Sequence, residues 1–414
     1  MLYRKKKEGD SVRVGIIGGG ASGLVCACVL AEKKNIEVTV FEKNERVGKK
    51  LLSTGNGRCN LTNLTASFED YYGSEEFVRP ALEKFTPQSN VEFFASLGLF
   101  TRADSEGRVY PLSNQASSVL DCLRFECERR GVRFLCSCEV KKIAQKGEKY
   151  VLNDSYTFER VVFACGGKAG VREYDSYSLL SSLGHTVTKT AASLTRLVTD
   201  DKMTKQLKGI RAVVSMTLNA DGKKVAEESG ELLFSDFSLS GIISMQLSSL
   251  VSHLKLEGKR DFSVDVDFVP SLSFEELSSL LFELSRGKET KSENLLSGFM
   301  PKKIGICLLK RAEISPEVPM LALSKKEILR LTALCKGFTF KIEGVGSFSQ
   351  AQVTVGGAKK SEFKKTTLES KKRKGIYCCG EMLDVDGKCG GYNLQFAFSS
   401  ARLCGESIIS ESEK

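Results

Sequence analysis

The hydrophobic rhythm of the chain changes three times. Val12-Arg13-Val14-Gly15-Ile16-Ile17 is almost unbroken apolar sequence, which predicts a strand covered on both faces within a parallel sheet. It runs into the turn Gly18-Gly19-Gly20-Ala21-Ser22-Gly23 and then the apolar helix Leu24 to Leu30. Val38-Thr39-Val40-Phe41-Glu42 predicts the next parallel strand, ending in an acid. Pro87 opens a helix towards Leu97, and Ser113 and Gly131 bracket another containing Val119, Leu120, Leu123 and Cys127. Short strands are expected at 133–135, 139–140 and 150–152, followed by a buried strand, Val161 to Cys165, ending at Gly166-Gly167. Residues up to about 190 therefore predict an α/β domain.

From about 191 to 270 the period becomes two, clearest in Phe262-Ser263-Val264-Asp265-Val266-Asp267-Phe268. An antiparallel sheet or small barrel with one wet face is expected. Residues 271 to 336 are helical in pattern, with capping boxes at Ser273/Glu276 and Ser324/Glu327 and Gly337 closing the last helix. Strands return at 338–342, 351–355 and 375–379, and Gly390-Gly391 opens a final helix lined by Phe396, Ala397, Ala401 and Leu403. The pattern implies a nucleotide-binding domain that is interrupted by an insertion and completed by the C-terminal 60 or so residues.

Gly18, Gly20 and Gly23 satisfy G-x-G-x-x-G between a strand and a helix. Gly18 permits the tight turn, Gly20 the approach of a pyrophosphate, and Gly23 close helix–strand packing, while the helix N-terminus offers N–H groups to phosphate. Glu42 lies 19 residues past Gly23, where a carboxylate accepts from the adenosine ribose hydroxyls. An acid there disfavours NADP and leaves NAD or FAD. The stretch from Gly48 to Asn63, rich in Gly and Asn, has neither period and predicts a structured loop carrying basic residues.

Composition narrows the class. The 414 residues suffice for two or three domains, and 41% hydrophobic and 27% charged residues are those of a soluble globular protein. No apolar run reaches a membrane span, and the basic start, Met1 to Glu8, lacks the apolar stretch of a signal peptide. Fourteen cysteines without a C-x-x-C pair are read as reduced thiols in a cytoplasmic protein. Cys122 and Cys127 have the spacing of some flavin disulfide reductases, but five residues apart they fall on different faces of a helix. No metal site is expected. The net charge of +10 is partly local: residues 359–374 hold eight basic against two acidic side chains. A solvated loop and helix face is preferred there over a contact with RNA, since no aromatic platform accompanies it.

The chain resembles the BaiN-like (YhiN-like, aminoacetone oxidase-type) family of FAD-dependent oxidoreductases over essentially its whole length. The resemblance is carried by Gly18 to Gly23, Gly48-Lys49-Lys50-Leu51, Gly55 to Asn63, Gly107-Arg108-Val109-Tyr110-Pro111, Gly230 to Phe234, Gln352 to Gly357, and Gly380-Glu381 through Gly391-Tyr392-Asn393-Leu394-Gln395. It implies a Rossmann-like two-dinucleotide FAD-binding domain of glutathione-reductase type (1–190 plus 345–414), an inserted β-barrel (191–270 plus 337–344) and a small helical cap (271–336). It favours FAD over NAD. Cofactor-binding residues carried over are Gly18, Gly20, Ala21, Ser22, Gly23, Glu42, Lys43, Lys50, Arg58, Cys59, Val140 beside the adenine, Gly166, Gly380, Glu381, Gly391, Asn393 and Leu394. Gly390 and Gly391 would direct helix N–H groups at the flavin N1–C2=O edge, where reduced flavin is negative.

The expected reaction is hydride transfer between flavin N5 and a small organic substrate held between the FAD domain and the insertion. A transient NAD(P)H donor stays open, as does the identity of the catalytic residue. His185 and His253 are expected to be structural, so proton donors are sought in Tyr392, Tyr110 or a water. Two segments depart from the family pattern, Lys168 to Tyr177 and Ser235-Asp236 with Gly241-Ile242, so the resemblance does not name the substrate. An RNA-modifying flavoprotein and a non-catalytic flavin-binding protein stand as alternatives.

Overall fold

A computed structural model describes residues 11–170, 175 and 177–413. The basic start at residues 1–8, and residues 171–174 and 176 of the departing segment, lie outside the described residues. The chain divides into two compact units, residues 1–190 with 352–414 and residues 191–351.

The first unit is built on a five-stranded sheet among the described residues. Its order is Ile376–Cys378, Arg160–Phe163, Val12–Ile17, Ile36–Phe41 and Arg133–Leu135, all parallel. The apolar runs were legible because these strands are covered on both faces: Val14, Ile16, Val161, Val162, Phe163 and Ile376 are fully buried. Helix Ala21–Leu30 buries nine of its ten residues, which explains its lack of a polar stripe. The C-terminal helix Tyr392–Ser412 lies against it, and Gly405 makes room: a Cβ there would sit 2.8 Å from Val29 Cγ1. Helices Pro87–Ser96 and Ala116–Arg129 form where their punctuation predicts.

Glu139-Val140 is not a strand. The Asn153 side chain takes up that segment's backbone instead, donating to the Glu139 carbonyl at 2.8 Å and accepting from Lys141 N at 2.9 Å. These bonds replace a ladder with a loop.

The second unit holds a seven-stranded antiparallel sheet among the described residues, ordered 338–342, 262–267, 211–220, 223–235, 238–240, 197–198 and 344–345. Its two edge strands are separated in sequence by Glu343 alone. The sheet therefore curls until its edges meet. Helix Ile242–Leu256 interrupts the region expected to be all sheet. Ile243, Leu247 and Val251 recur every four residues and are buried, but four serines dilute the signal. Three of them find carbonyls, Ser244 donating to Ser240 O at 3.0 Å, Ser248 to Met245 O at 2.7 Å and Ser252 to Ala192 O at 2.6 Å, while Ser249 Oγ is buried without a partner.

The helices expected as a separate cap share one core with the sheet: Leu277, Leu281, Leu308, Ile328 and Leu331 cluster with Val264, Val266 and Phe340. The strand Gly344–Val345 pairs with Leu197–Val198, so the chain re-enters the first unit at Gln352 and not at 345. Both capping boxes form reciprocally, Ser324 N to Glu327 Oε2 at 2.8 Å and Glu327 N to Ser324 Oγ at 3.3 Å in the second. Gly337 closes its helix in an extended conformation (φ −163°), not the left-handed one.

Ser324→Ala removes the hydroxyl that accepts from Glu327 N and leaves the backbone bond from residue 324 N to Glu327 Oε2. It is expected to destabilise the second unit by about 1 kcal/mol in urea unfolding, and recovery of wild-type stability by Ser324→Asp separates capping from packing.

Candidate dinucleotide site

The glycine turn sits between the first strand and helix, as its mechanism requires. Gly18 is left-handed (φ +106°), and a Cβ there would lie 2.5 Å from the Ala164 carbonyl oxygen. Gly20, by contrast, has open space where a side chain would be. It caps helix Ala21–Leu30 without any side-chain hydrogen bond, leaving the first-turn N–H groups for an incoming anion. Ser22 is buried, and a Cβ on Gly380 (φ +68°) would sit 2.6 Å from its Oγ.

Glu42 stands at the end of the second strand with its carboxylate turned into the turn. Oε2 accepts from Gly19 N at 3.0 Å, and Oε1 accepts from Asn44 N at 2.8 Å. Asn44 Nδ2 donates to Oε1 as well, at 2.5 Å, so Oε1 is filled and Oε2 keeps the further acceptor position. Glu42 braces the turn and can still meet a ribose through Oε2. Lys43 beside it is half-buried, and burial pushes its ammonium below the usual value. The 137–140 loop follows this strand end, with Cys138 N donating to Glu42 O at 2.9 Å, and leaves Val140 buried.

The Gly48–Asn63 stretch is a structured loop. Gly55, Asn56, Gly57 and Cys59 all have positive φ. Cys59 is buried, and burial pushes its thiol up to about 12, so it carries no thiolate at neutral pH. Arg58 is exposed; its Nε donates to Gly55 O at 3.3 Å and its guanidinium covers the Tyr110 ring at 4.8 Å. Lys50 reaches Glu381 across 331 residues of sequence at 2.6 Å, and the other Glu381 oxygen accepts from Thr354 N at 2.9 Å. Gly166 (φ +71°) faces open space, whereas Gly167 is the crowded one of the pair, packed on Thr354 and Glu381.

At the C-terminal helix, Gly391 (φ +104°) is the N-cap and has no side-chain cap bond. A Cβ there would lie 2.5 Å from the Thr62 carbonyl and 2.9 Å from Asn60 Oδ1. Asn393 spends its side chain on the preceding loop, accepting from Gly387 N (2.9 Å) and donating to the carbonyls of Gly387 (3.0 Å) and Lys388 (3.1 Å). Leu394 is half-buried against the core, and the Tyr392 carbonyl accepts from Tyr71 OH at 2.7 Å. Tyr110 is buried beneath Arg58. The geometry thus joins Lys50 to Glu381, Ser22 to Gly380, and Gly391 to the 60–62 segment. Motif reading passed over Asn60 and the buried cluster Thr62, Asn90, Gln395 and Ser399; its signal was a pair of polar residues, Gln395 and Ser399, four apart on an apolar helix.

The basic run is largely turned onto its own chain, and only a short 3-10 turn, Lys360–Glu362, is helical there. Lys364 pairs with Glu369, Lys372 with Glu362, and Lys365 with Glu76. Lys360 bonds Gly73 O and Ser74 Oγ, Lys371 bonds Ser361 O, and Arg373 bonds Leu183 O. His185 anchors the segment. Its Nδ1 lies 3.0 Å from Glu362 Oε2, its Nε2 3.0 Å from Ser370 Oγ, and its ring stacks on Phe363 at 4.7 Å. The order is that of a nucleophile–base–acid relay, but Ser370 is buried and its Oγ accepts from Lys372 N and Arg373 N. It is a clasp, in keeping with a structural His185.

Comparison with known proteins supplies the relatives. The model of the family described as HI0933-like protein Rossmann domain matches residues 12–407. A 3-dehydro-bile acid delta(4,6)-reductase from Clostridium scindens is 36% identical over 402 residues, covering 95% of this chain and 98% of its own. A ribosomal RNA dihydrouridine synthase from Haemophilus influenzae is 30% identical over 411 residues, covering 95% and 97%. Among solved structures, a 3-ketosteroid delta1-dehydrogenase from Sterolibacterium denitrificans shares the fold with a TM-score of 0.52 at 12% identity, covering 97% of this chain and all of its own. No helix of the described residues is long and apolar enough to cross a membrane.

The clasp makes stability pH-dependent. Burial raises the Glu362 carboxyl, but Lys372, Thr186 and His185 outweigh it and hold it at about 2. Burial also lowers the His185 imidazolium, more than Glu362 restores it. Both groups bind protons more readily when unfolded, so stability is full above neutral pH and drains as pH falls, first through His185 and then through Glu362. His185→Gln is expected to cost about 1–2 kcal/mol at pH 7.5 and to flatten the fall of Tm between about pH 6.5 and 5, followed by circular dichroism.

Proposed function

The chain belongs to the HI0933-like family of FAD-dependent oxidoreductases, and on that premise we propose that it reduces a carbon–carbon double bond conjugated to a carbonyl, with NAD(P)H as the electron donor. The observation that carries this reading is what the two relatives' names share. A 3-dehydro substrate with unsaturation at positions 4 and 6 is a conjugated ketone. Dihydrouridine is uridine with the ring double bond next to a carbonyl saturated. The substrates differ in size and share a reacting group.

The residues present fit FAD. Gly20 and Gly166 leave open space, Glu42 keeps acceptor capacity, the helices starting at Ala21 and Tyr392 both lack side-chain caps, and Asn60 Oδ1 is buried without a partner. We assign the pyrophosphate to the Gly18–Gly23 turn with Arg58 and Lys50 near it, the adenosine to Glu42, Lys43 and Val140, and the ribityl chain and flavin ring to Gly380, Glu381, Gly391, Asn393 and Leu394. When bound, the flavin supplies a two-electron hydride donor. The N-terminus of helix 392–412 would face the ring and favour negative charge there. The substrate's β-carbon takes the hydride and its α-carbon takes a proton, delivered by Tyr392, Tyr110 or a water. A small conjugated ketone is preferred over RNA, because much of the basic charge at 359–374 is met by the chain's own carboxylates and carbonyls.

Purified protein is expected to be yellow and to be bleached anaerobically by NADH or NADPH, then reoxidised by cyclic enones. Reoxidation by uridine-containing RNA and not by enones would move the assignment to RNA. Gly20→Val fills the open space at the phosphate turn. It is expected to weaken FAD binding at least about tenfold while costing apo stability no more than about 1 kcal/mol, read by flavin fluorescence and thermal melting. Full flavin retention in Gly20→Val would remove the turn from the cofactor site.

A further inference from the structure

Asn60 is more than nine-tenths buried, yet its Oδ1 has no hydrogen-bond partner. Its surroundings make that unusual, because the polar groups beside it are completely paired. Thr62 Oγ1 donates to Gln395 Oε1 at 2.6 Å, and Asn90 Nδ2 donates to Gln395 Oε1 (3.1 Å) and Ser399 Oγ (3.0 Å). Gln395 Nε2 and Ser399 Oγ both donate to the Phe85 carbonyl, at 3.0 and 2.7 Å. Arg402 closes the set on Asn90 Oδ1 at 3.0 Å. Such a network holds its members in one arrangement. It ties the first turn of helix 392–412 to the strand that begins two residues after Asn60.

The orphaned oxygen lies at the mouth of that helix, 2.9 Å from where a Gly391 Cβ would be. The same helix start has no side-chain cap. An unpaired acceptor and a set of unpaired donors therefore share one edge of the site. A cyclic imide, in which an N–H is flanked by two carbonyls, is complementary to that arrangement.

We propose that Asn60 is a further cofactor-positioning residue, whose carboxamide oxygen accepts the N3–H of the flavin pyrimidine ring while the helix N–H groups face the ring's carbonyl edge. The assignment rests on the flavin reading of the preceding section. The Thr62–Gln395–Asn90–Ser399 network is the frame that keeps acceptor and donors in register. The Asn60 side chain is then preorganised, and the acceptor left unpaired in the folded chain is paired when the ring arrives.

The test uses full-length protein reconstituted with FAD labelled with 15N at N3, with Asn60→Leu and the isosteric Asn60→Asp. In wild type the N3–H resonance is expected downfield, in Asn60→Leu upfield, with FAD dissociation weakened about three- to tenfold and the apo Tm unchanged or higher. Asn60→Asp keeps the shape and adds charge, so the flavin reduction potential is expected to fall and the alkaline N3–H transition to move to higher pH. If Asn60→Leu does not fold, the Asn60→Asp potential decides. Wild-type N3–H shift and FAD affinity in Asn60→Leu, or a wild-type potential in Asn60→Asp, would overturn the role of Asn60 while leaving FAD in place. Wild-type protein that takes up no flavin would overturn the flavin reading and this one together.

Discussion

The first unit depends on one contact, the packing of the last helix against the first. Helix 21–30 carries the phosphate turn and helix 392–412 carries Gly391, so both halves of the candidate site are aimed by the same interface. Gly405 lets the two backbones approach at Val29. Cys26, Cys379 and Cys404 fill the space beneath, all fully buried, and burial pushes the Cys404 thiol far above its usual range. In this setting thiols act as small apolar groups. The cost is kinetic: the sheet gains its edge strand, and the first helix its cover, only when the last forty residues are available.

The second unit is the part of the chain that this closure must accommodate. It has its own apolar core, with sheet and helices in one cluster, and so needs nothing from the first unit to bury its hydrophobic residues. Its curled sheet leaves and re-enters the first unit within one loop's length in sequence at each end, 190/191 and 351/352. An insertion with a self-sufficient core adds little loop-closure penalty to the domain it interrupts.

What was legible in the sequence follows from how strongly each feature imposes a period or a backbone conformation. The parallel strands, the glycine turn and the two capping boxes each did so, and all formed. Helix 242–256 was hidden because four serines interrupt its apolar pattern, three of them settling their hydroxyls on carbonyls. Val140 was legible as apolar but not as loop, since the agent that holds it there is the side chain of Asn153. In the site, motif spacing marked the positions of Glu42 and Asn393 but not the partners they acquire. Glu42 braces Gly19, and Asn393 ties down Gly387, because hydrogen-bond partners are set by tertiary closeness that no local pattern encodes.

The electrostatic design of the first unit comes from backbone more than from side chains. Two of its helix N-termini, at Ala21 and Tyr392, are preceded by glycine and have no side-chain cap. Formal charge nearby is either paired, as Lys50 with Glu381, or exposed and stacked, as Arg58 on Tyr110. Fixed peptide dipoles cost no reorganisation when charge moves, whereas long side chains do. A site of the kind proposed, holding an anionic diphosphate and a ring that gains charge on reduction, would be best served by donors that do not move. The uncapped turns keep those donors free, and the glycines before them keep side chains out of the way.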